Sequence, residues 1–233
     1  MTTTIDLPQQ SSTESWFLSR LDATHIETTP VPYAVIDSVF PSNVFRQIRE
    51  ELPSSSLFAE ARGAGRFTSY CRKLTGTEAT RRDIFFSTRS AENRGLSPFW
   101  TDLASWLGTP AMRDRLIAHF LPAELHPKDS GVYQIDLRLV RETGAVYIAP
   151  HLDQPRKLMV IVIYLCAEAA PDSGTSLLEP TGVGAEFREI TRVPFTANTA
   201  FVLPRTEHSW HGVAAQRLPS PRTTLHLYIQ RPG

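Results

Sequence analysis

Three things are scarce in this chain of 233 residues: cysteine, an excess of either charge, and long apolar runs. Only Cys71 and Cys166 are present, without a Cys-x-x-Cys pair, which argues against a disulfide framework or a thiolate zinc site. Lysine plus arginine equals aspartate plus glutamate at 24 each, so no net field draws the protein to nucleic acid or to an anionic membrane. Neither is therefore an expected partner, and the oligomeric state stays open.

The longest apolar run, Leu158–Cys166, is far shorter than the roughly 20 residues of a membrane-spanning helix. Residues 1–14 are rich in threonine, serine and glutamine and carry neither a basic patch nor an apolar segment, so they predict no secretion signal. We expect a cytoplasmic protein in which residues 1–14 form a disordered tail and residues 15–233 form a single domain.

The first part of that domain, residues 15–127, carries helical patterns. Segments 97–108 and 109–120 each begin with a hydroxyl residue followed by proline, which is the typical start of a helix. Segment FTSYCRKL (67–74) favours a short strand, and DIFFSTR (83–89) is another short apolar segment. We expect this half to support a core built by the rest of the chain.

After Pro127 the pattern changes to extended segments separated by turns. Eight such segments within about 100 residues, at a spacing of roughly 8–12, are typical of a sandwich or barrel. The sequence predicts a mainly β fold with flanking helices, whose core over residues 131–230 is a double-stranded β-helix, the jelly-roll of cupin-like proteins. The segments are VYQIDLRLV, AVYIAPHLD, KLMVIVIYL, GTSLLEP, EFREITRVPF, TAFVLP, HGVAAQ and TTLHLYIQ.

His151 and Asp153 end one predicted strand, directly ahead of the apolar segment KLMVIVIYL. Because side chains alternate along a strand, both should lie on one face together with Tyr147. A similar pair, His25 and Glu27, lies in a polar stretch that is typical of a solvated loop. The pair at 151 and 153 needs a third partner before it indicates a metal site.

The segment RTEHSWHGV offers that partner, and two histidines compete for the role. His211 is favoured because it begins an extended piece, whereas His208 lies in a polar turn. Two imidazoles and one carboxylate would hold a metal from one side and leave the opposite positions open for substrate and oxygen, as in non-haem iron(II) sites. The candidate metal ligands, which are also the candidate catalytic residues, are therefore His151, Asp153 and His211.

Arg222 begins the last predicted strand, with Thr224 and His226 on the same face. An arginine directed into a barrel is costly unless an anion meets its planar guanidinium. A dicarboxylate that binds the metal at its other end would supply that anion. The hydroxyl of Thr224 would then donate to the same carboxylate.

The motifs HLD, KLMVIVIYL, GTSLLEP, NTAFVLP, SWHGV and RTTLHLYI together resemble the iron(II)- and 2-oxoglutarate-dependent dioxygenases. The likeness is to the branch of prolyl-hydroxylase-like and small bacterial hydroxylases, over about residues 131–230. It implies a double-stranded β-helix with iron bound by His151, Asp153 and His211, and with Arg222 paired to the C5 carboxylate of 2-oxoglutarate.

The same resemblance implies a tyrosine or other polar donor that reaches the co-substrate from an early core strand, and Tyr133 and Tyr147 are both candidates. It implies Fe(II), 2-oxoglutarate and O2 as cofactor and co-substrates, with succinate and CO2 as co-products. Because Asp153 is present, the chain departs from the halogenating members, where a small residue vacates that ligand position for a halide. Hydroxylation of an unactivated C–H bond is therefore the expected reaction.

The expected substrate is a small polar metabolite, such as an amino acid or a natural-product intermediate. Loops 61–66, 154–157 and 168–176 are candidates for the substrate side. Two other functions use the same residues: a zinc hydrolase with the same three ligands, and a jelly-roll binding module without catalysis. The arginines that could meet a substrate anion are Arg66, Arg72, Arg156 and Arg205.

Overall fold

A computed structural model describes residues 7–61, 63–86, 95–166, 171–182 and 186–232 of the chain. Within these ranges the helices are α1 (Leu7–Asp22), α2 (Ser42–Glu50), α3 (Ala64–Thr75), α4 (Pro98–Leu107) and α5 (Pro110–Phe120). The strands are β1 (Ile26–Glu27), β2 (Tyr33–Ile36), β3 (Ala59–Glu60), β4 (Thr80–Phe86), β5 (Gln134–Thr143), β6 (Ala145–His151), β7 (Lys157–Tyr164), β8 (Thr175–Pro180), β9 (Phe187–Val193), β10 (Ala200–Pro204), β11 (His211–Arg217) and β12 (Arg222–Gln230).

The strands form two antiparallel sheets packed against each other. The larger sheet has the order β1-β2-β10-β7-β12-β5-β4-β3, and the smaller sheet has the order β6-β11-β8-β9. From β5 to β8 the chain alternates between the sheets, β9 pairs with β8, and β10 to β12 alternate again. This order is a double-stranded β-helix, so the predicted fold class and all eight predicted core strands are confirmed.

Strand β7 lies inside the larger sheet between β10 and β12, and both of its faces are covered. On one face Ile161 and Ile163 join the main core, which the helices share with the larger sheet. On the other face Val160 and Val162 pack in the core between the two sheets. A nearly unbroken apolar segment is what a strand buried on both sides requires.

The two helices predicted from a hydroxyl residue and proline begin at those positions. The Ser97 hydroxyl accepts a hydrogen bond from the backbone N–H of Trp100 at 3.5 Å, and Thr109 accepts one from Met112 at 3.2 Å. Each cap satisfies one of the N–H groups that have no partner within a helix. Among the helices of the described part, none is long and apolar enough to cross a membrane.

Two predictions for the first half are wrong, and one falls partly outside the described residues. Helix α1 begins at Leu7, so residues 7–14 belong to a helix rather than to a tail; Phe17 and Leu21, which are both buried, anchor it. The predicted strand 67–74 lies in helix α3. The apolar segment 83–89 forms the end of β4 up to Phe86, and its remainder lies outside the described residues.

Segment 67–74 misled the prediction because its aromatic and β-branched residues also suit a strand. In the structure Phe67 and Cys71, one helical turn apart, are buried on the same face. The hydroxyl of Thr68 donates a hydrogen bond to the carbonyl of Ala64, one turn earlier, at 2.9 Å. Tertiary burial of one helical face thus outweighs the local strand preference.

Candidate metal and anion site

A cavity lies between the two sheets. Its walls combine apolar side chains, among them those of β7 and β11, with a set of polar and charged groups from six strands and the segment after β6. Such a mixture of apolar walls and a few convergent polar groups is typical of ligand sites. The polar and charged lining residues are Arg81, His151, Asp153, Lys157, Thr175, His211, Arg222, His226 and Tyr228.

His151, Asp153 and His211 meet at one end of this cavity. Their nearest ligand atoms all lie within 4.8 Å of one another, and the centroids of the two imidazole rings are 4.2 Å apart. His151 ends β6 and His211 begins β11, and the two residues are direct partners in the β6–β11 pairing. The strand register therefore holds the two imidazoles side by side, and Asp153 follows two residues later.

Both imidazoles are oriented by backbone carbonyls. Nδ1 of His151 lies 3.0 Å from the carbonyl oxygen of Ala149, and Nδ1 of His211 lies 3.0 Å from that of Ser209. Because a carbonyl only accepts, each Nδ1 carries the proton and each Nε2 keeps a lone pair. This is the tautomer that a metal ligand needs, and such a second hydrogen bond is usual for metal-binding histidines.

A bulge in the β6–β11 pairing sets which side chains face the cavity. His211 pairs with His151, but Val213 pairs with Ile148, so β6 has one residue more than β11 between these points. The extra residue reverses the alternation, so that Ile148 lines the cavity and Tyr147 does not. The expectation that Tyr147 shares a face with the histidine and aspartate is therefore wrong.

Asp153 and His211 have the protonation states that metal binding requires. Burial raises the pKa of Asp153, but the Lys157 ammonium and the two imidazoles outweigh burial and hold that pKa below its ordinary value. Burial, with the neighbouring His151, lowers the pKa of His211 to about 4. At neutral pH the site therefore presents a carboxylate and a neutral imidazole, and this donor set fits a first-row divalent metal.

Arg222 lies in the cavity wall and belongs to a buried ion cluster. The side chains of Arg222 and Glu142 are 3% and 0% exposed, and Arg222 Nη1 donates to Glu142 Oε2 at 2.5 Å. Arg81 Nη1 lies 3.0 Å from the other carboxylate oxygen, and Arg222 Nε donates to the carbonyl of Ser173 at 2.9 Å. Two guanidinium groups therefore share one carboxylate, which leaves one positive charge facing the cavity.

Beside Arg222, two hydroxyl groups complete a polar pocket. Tyr164 is fully buried, its hydroxyl lies 3.0 Å from Thr175 Oγ1, and Thr175 lines the cavity. Burial raises the pKa of Tyr164, so the phenol stays protonated and remains able to donate. A carboxylate next to Arg222 would find a guanidinium and these hydroxyls within one small region.

A hydrogen-bonded row follows Arg222 along β12. Thr224 Oγ1 lies 2.8 Å from His226 Nε2, and His226 Nδ1 lies 2.7 Å from the Tyr228 hydroxyl. Burial and the positive charge of Arg81 lower the pKa of His226 well below its ordinary value. Burial raises the pKa of Tyr228 to about 12, so both groups are uncharged at neutral pH.

The structure separates some predicted site residues from the cavity. His208 and His25 are exposed, and neither belongs to the cluster around His151. The Tyr133 ring lies 5.4 Å from the guanidinium carbon of Arg231 and does not line the cavity. Thr224 is fully buried and is not a lining residue, but its Oγ1 lies 2.8 Å from Nε2 of His226, which lines the cavity.

Tyr147 also lies away from the cavity, since its ring packs at 6.0 Å from that of Tyr70. Tyr164, which was not among the residues predicted from the sequence, lies near enough to Arg222 for the guanidinium to act on the pKa of its phenol, in the lowering direction. One signal pointed to it: Tyr164 continues the alternation of Val160 and Val162 on the inner face of β7 and brings a hydroxyl to that apolar face. Glu142 gave no such signal, because its partner Arg222 lies 80 residues further along the chain.

The candidate substrate-side arginines have different environments. Arg205 is half-buried, and its Nε donates to the backbone carbonyl of Asp153 at 3.3 Å. Arg66 and Arg72 are exposed, and Arg156 Nε donates to the side chain of Gln154. Residue 62 and residues 168–170 of the candidate loops lie outside the described residues.

Comparison with solved structures places this architecture among prolyl hydroxylases. A prolyl 4-hydroxylase from Pseudomonas putida matches with a TM-score of 0.53 and 12% identity, over 93% of this chain and 98% of that one. A prolyl hydroxylase from Trichoplax adhaerens, solved with a hypoxia inducible factor peptide fragment, matches with a TM-score of 0.57 and 13% identity, over 98% and 94% of the two chains. Prolyl 4-hydroxylase from Phytophthora capsici matches with a TM-score of 0.52 and 15% identity, over 99% and 67%.

These similarities establish that the chain has the fold of the prolyl hydroxylases, a double-stranded β-helix with supporting helices. No protein-family profile and no curated protein sequence matches the chain. The fold therefore rests on structural similarity, and the chemistry rests on the side chains of the cavity.

Proposed function

We propose that this protein is an iron(II)- and 2-oxoglutarate-dependent dioxygenase that hydroxylates an unactivated C–H bond of a small polar metabolite. The observation that carries the proposal is the convergence of His151, Asp153 and His211, with ligand atoms within 4.8 Å of one another, in the same cavity as Arg222. The structurally similar proteins, which are prolyl hydroxylases, support the same class. We also propose that the activity is cytoplasmic, as the sequence composition led us to expect.

In this proposal His151, Asp153 and His211 hold Fe(II) from one side. When bound, iron with O2 and 2-oxoglutarate supplies oxidising chemistry that side chains lack: 2-oxoglutarate becomes succinate and CO2, and one oxygen atom enters the substrate C–H bond. The protein's own contribution is to fix the ligand geometry and to keep water from the cavity with apolar walls such as Val160 and Phe201.

Arg222 anchors the far carboxylate of 2-oxoglutarate. Its Nε and one Nη1 hydrogen are held by Ser173 and Glu142, so its orientation is fixed before the co-substrate arrives. We assign its remaining N–H groups to the carboxylate, with the hydroxyls of Thr175 and Tyr164 beside them. Tyr164 therefore replaces Tyr133 and Tyr147 as our candidate for the tyrosine that supports co-substrate binding.

A zinc hydrolase and a binding module without catalysis each explain fewer of the side chains found in the cavity. A zinc hydrolase would use the three ligands but would leave the buried Arg222, Glu142 and Arg81 cluster without a role. A binding module without catalysis would not need two imidazoles held with their Nε2 lone pairs free beside a carboxylate.

The proposal is tested by measuring succinate formed from 2-oxoglutarate under air, with Fe(II), with Zn(II) and with chelator, in the presence of a panel of small metabolites. We expect succinate only with Fe(II), and none above background in Asp153→Ala. The exposed pair of His25 and Glu27 offers a matched control, since Glu27→Ala removes an acid from the other His-x-acid motif and should keep full activity. Succinate formation that persists in Asp153→Ala, or that Zn(II) supports equally, contradicts the proposal.

A further inference from the structure

Lys157 occupies the cavity beside the proposed metal ligands and has no role in the function proposed above. It is the first residue of β7, and its side chain is only 18% exposed. Its ammonium donates a hydrogen bond to Asp153 Oδ1 and lies 4.1 Å from the centroid of the Tyr228 ring. An ammonium this deeply placed requires a compensating negative charge.

The negative charge available to Lys157 is limited. Among the described residues, Asp153 forms the ion pair with Lys157. The same carboxylate is also one of the three groups that converge as metal ligands. A carboxylate that shares its charge with a divalent cation compensates an adjacent ammonium less well. Lys157 would therefore be left with excess positive charge once the metal is bound.

The cavity as a whole also has more positive than negative side chains. Three cations, Arg81, Lys157 and Arg222, stand against two carboxylates, Asp153 and Glu142, among the described groups that line the cavity or form an ion pair with a lining residue. Adding a divalent metal and a dianionic 2-oxoglutarate leaves this difference unchanged. One positive charge then remains for a further anion. Because the end of the cavity with Arg81 and Arg222 is assigned to the co-substrate, this anion would bind at the end with Lys157.

The surroundings of Lys157 define the rest of the ligand. The Tyr228 ring beneath the ammonium is held in place by the hydrogen bond of its hydroxyl to His226 at 2.7 Å. Arg205, bonded to the backbone carbonyl of Asp153, adds positive charge on the same side. The facing wall belongs to the smaller sheet and includes the apolar side chains of Ile148 and Val213.

We infer that the oxidised substrate carries a carboxylate, which Lys157 binds beside the metal, and an apolar portion that packs against the opposite wall. This inference rests on the proposed function and narrows its substrate class from small polar metabolites to small carboxylic acids, of which free amino acids are one group. Lys157 is thus a specificity-determining residue rather than a metal ligand.

The test compares matched acids and amides. The standard L-amino acids and their primary amides are each added to the protein with Fe(II) and 2-oxoglutarate, and succinate formation is measured under air. Binding is measured separately, without oxygen, from the change that each compound causes in the visible absorption of the Fe(II) and 2-oxoglutarate complex. We expect one or a few acids to bind and to be oxidised, and their amides to bind roughly ten- to a hundredfold more weakly, as the loss of a charge-assisted hydrogen bond predicts.

Three variants separate recognition from structure. Lys157→Gln should remove the preference for acid over amide, and Lys157→Arg should restore most of it. Lys128→Gln removes a positive charge from an exposed position that does not line the cavity and should keep the wild-type preference. In all three variants we expect the visible absorption of the Fe(II) and 2-oxoglutarate complex to form at wild-type 2-oxoglutarate concentrations.

The outcomes distinguish this inference from the proposed function. Wild-type protein that forms the absorbing complex but binds acids and amides equally, or that oxidises only peptide amides containing proline, contradicts the substrate class and leaves the oxygenase proposal intact. Lys157→Gln that keeps the acid preference, or that instead weakens 2-oxoglutarate binding tenfold, assigns Lys157 elsewhere and overturns the inference. Wild-type protein that forms no such complex contradicts the proposed function itself.

Discussion

At the scale of single residues, the site is built from charges that would be costly to bury alone. Glu142 is fully buried and contacts both Arg222 and Arg81, so each guanidinium depends on one carboxylate. Removing one partner of such a cluster leaves an uncompensated buried charge, which costs more than the intact interaction contributes. The rigidity of Arg222, and with it the anion pocket, therefore depends on a residue that does not itself line the cavity.

We predict that Glu142→Gln lowers the free energy of unfolding by about 3–5 kcal/mol, because two guanidinium groups lose their carboxylate in a buried environment. Urea denaturation with a two-state fit measures the change. The matched control is Glu179→Gln, which breaks the exposed Glu179 and Arg188 pair and should cost at most about 1 kcal/mol. Equal effects of the two substitutions would contradict a structural role for the buried cluster.

At the scale of elements, the pairing of β6 with β11 brings the two histidines together, and a glycine permits the approach. A Cβ at Gly212 would lie 2.6 Å from the backbone carbonyl oxygen of Ile148, which real structures do not tolerate. Gly212 directly follows His211 and lies at the bulge that turns Ile148 toward the cavity. The strands must move apart to accept any larger residue there.

We predict that Gly212→Ala weakens metal binding by at least about tenfold, because separating β6 from β11 moves the imidazole of His211 relative to that of His151. Calorimetric titration with Ni(II) or Fe(II) measures the affinity. Gly65→Ala serves as the control, since a Cβ at Gly65 in the first turn of α3 meets no atom within 4 Å and alanine favours helix. Unchanged metal affinity in Gly212→Ala would show that the close strand approach does not set the ligand geometry.

At the scale of the whole molecule, the sequence predicted the parts that depend on local pattern. Eight core strands, the capped helices α4 and α5, and the doubly covered β7 follow from periodicity and capping residues. Helix α1 and helix α3 were misjudged because distant burial of Phe17 and Phe67, rather than local composition, decides their conformation. Local patterns carry no information about which distant surfaces will cover them.

The sequence likewise predicted some residues of the candidate site and missed others. The convergence of His151, Asp153 and His211 could be anticipated, because these residues end or begin strands whose sheet partners the fold class dictates. The bulge that excludes Tyr147, and the cross-strand pairing that places Glu142 beside Arg222, depend on register between segments far apart in sequence. A shift of one residue in strand register changes which side chains face a cavity, and the sequence alone does not fix that register.

The buried histidines make the stability of the whole molecule sensitive to pH. The pKa values of His211 and His226 are lowered in the folded protein, to about 4 for His211, whereas the ordinary value of 6.5 applies after unfolding. Below pH 6.5 the unfolded chain therefore binds more protons than the folded one, so acid favours unfolding. Both contributions are fully present above pH 6.5 and are lost as the pH falls through the pKa of each histidine in the folded protein, which is about 4 for His211.

We predict that the metal-free protein loses stability between pH 6.5 and pH 4, with up to about 1.4 kcal/mol per pH unit for each buried histidine. Urea midpoints measured across this range test the slope. His226→Gln should give a shallower slope than the wild type, whereas His25→Gln changes an exposed histidine and should keep it. Equal slopes in both variants would contradict the neutral, buried state of His226.

The central claim is that one ferrous ion and one 2-oxoglutarate bind together at His151, Asp153 and His211 beside Arg222. The most direct test is an anaerobic titration of the protein with Fe(II) and 2-oxoglutarate, followed by visible absorption. We predict a weak charge-transfer band that is absent in His211→Ala, requires more 2-oxoglutarate in Arg222→Gln, and is unchanged in His208→Ala, which alters an exposed histidine three residues away. A band that survives in His211→Ala, or that disappears only in His208→Ala, would contradict the account.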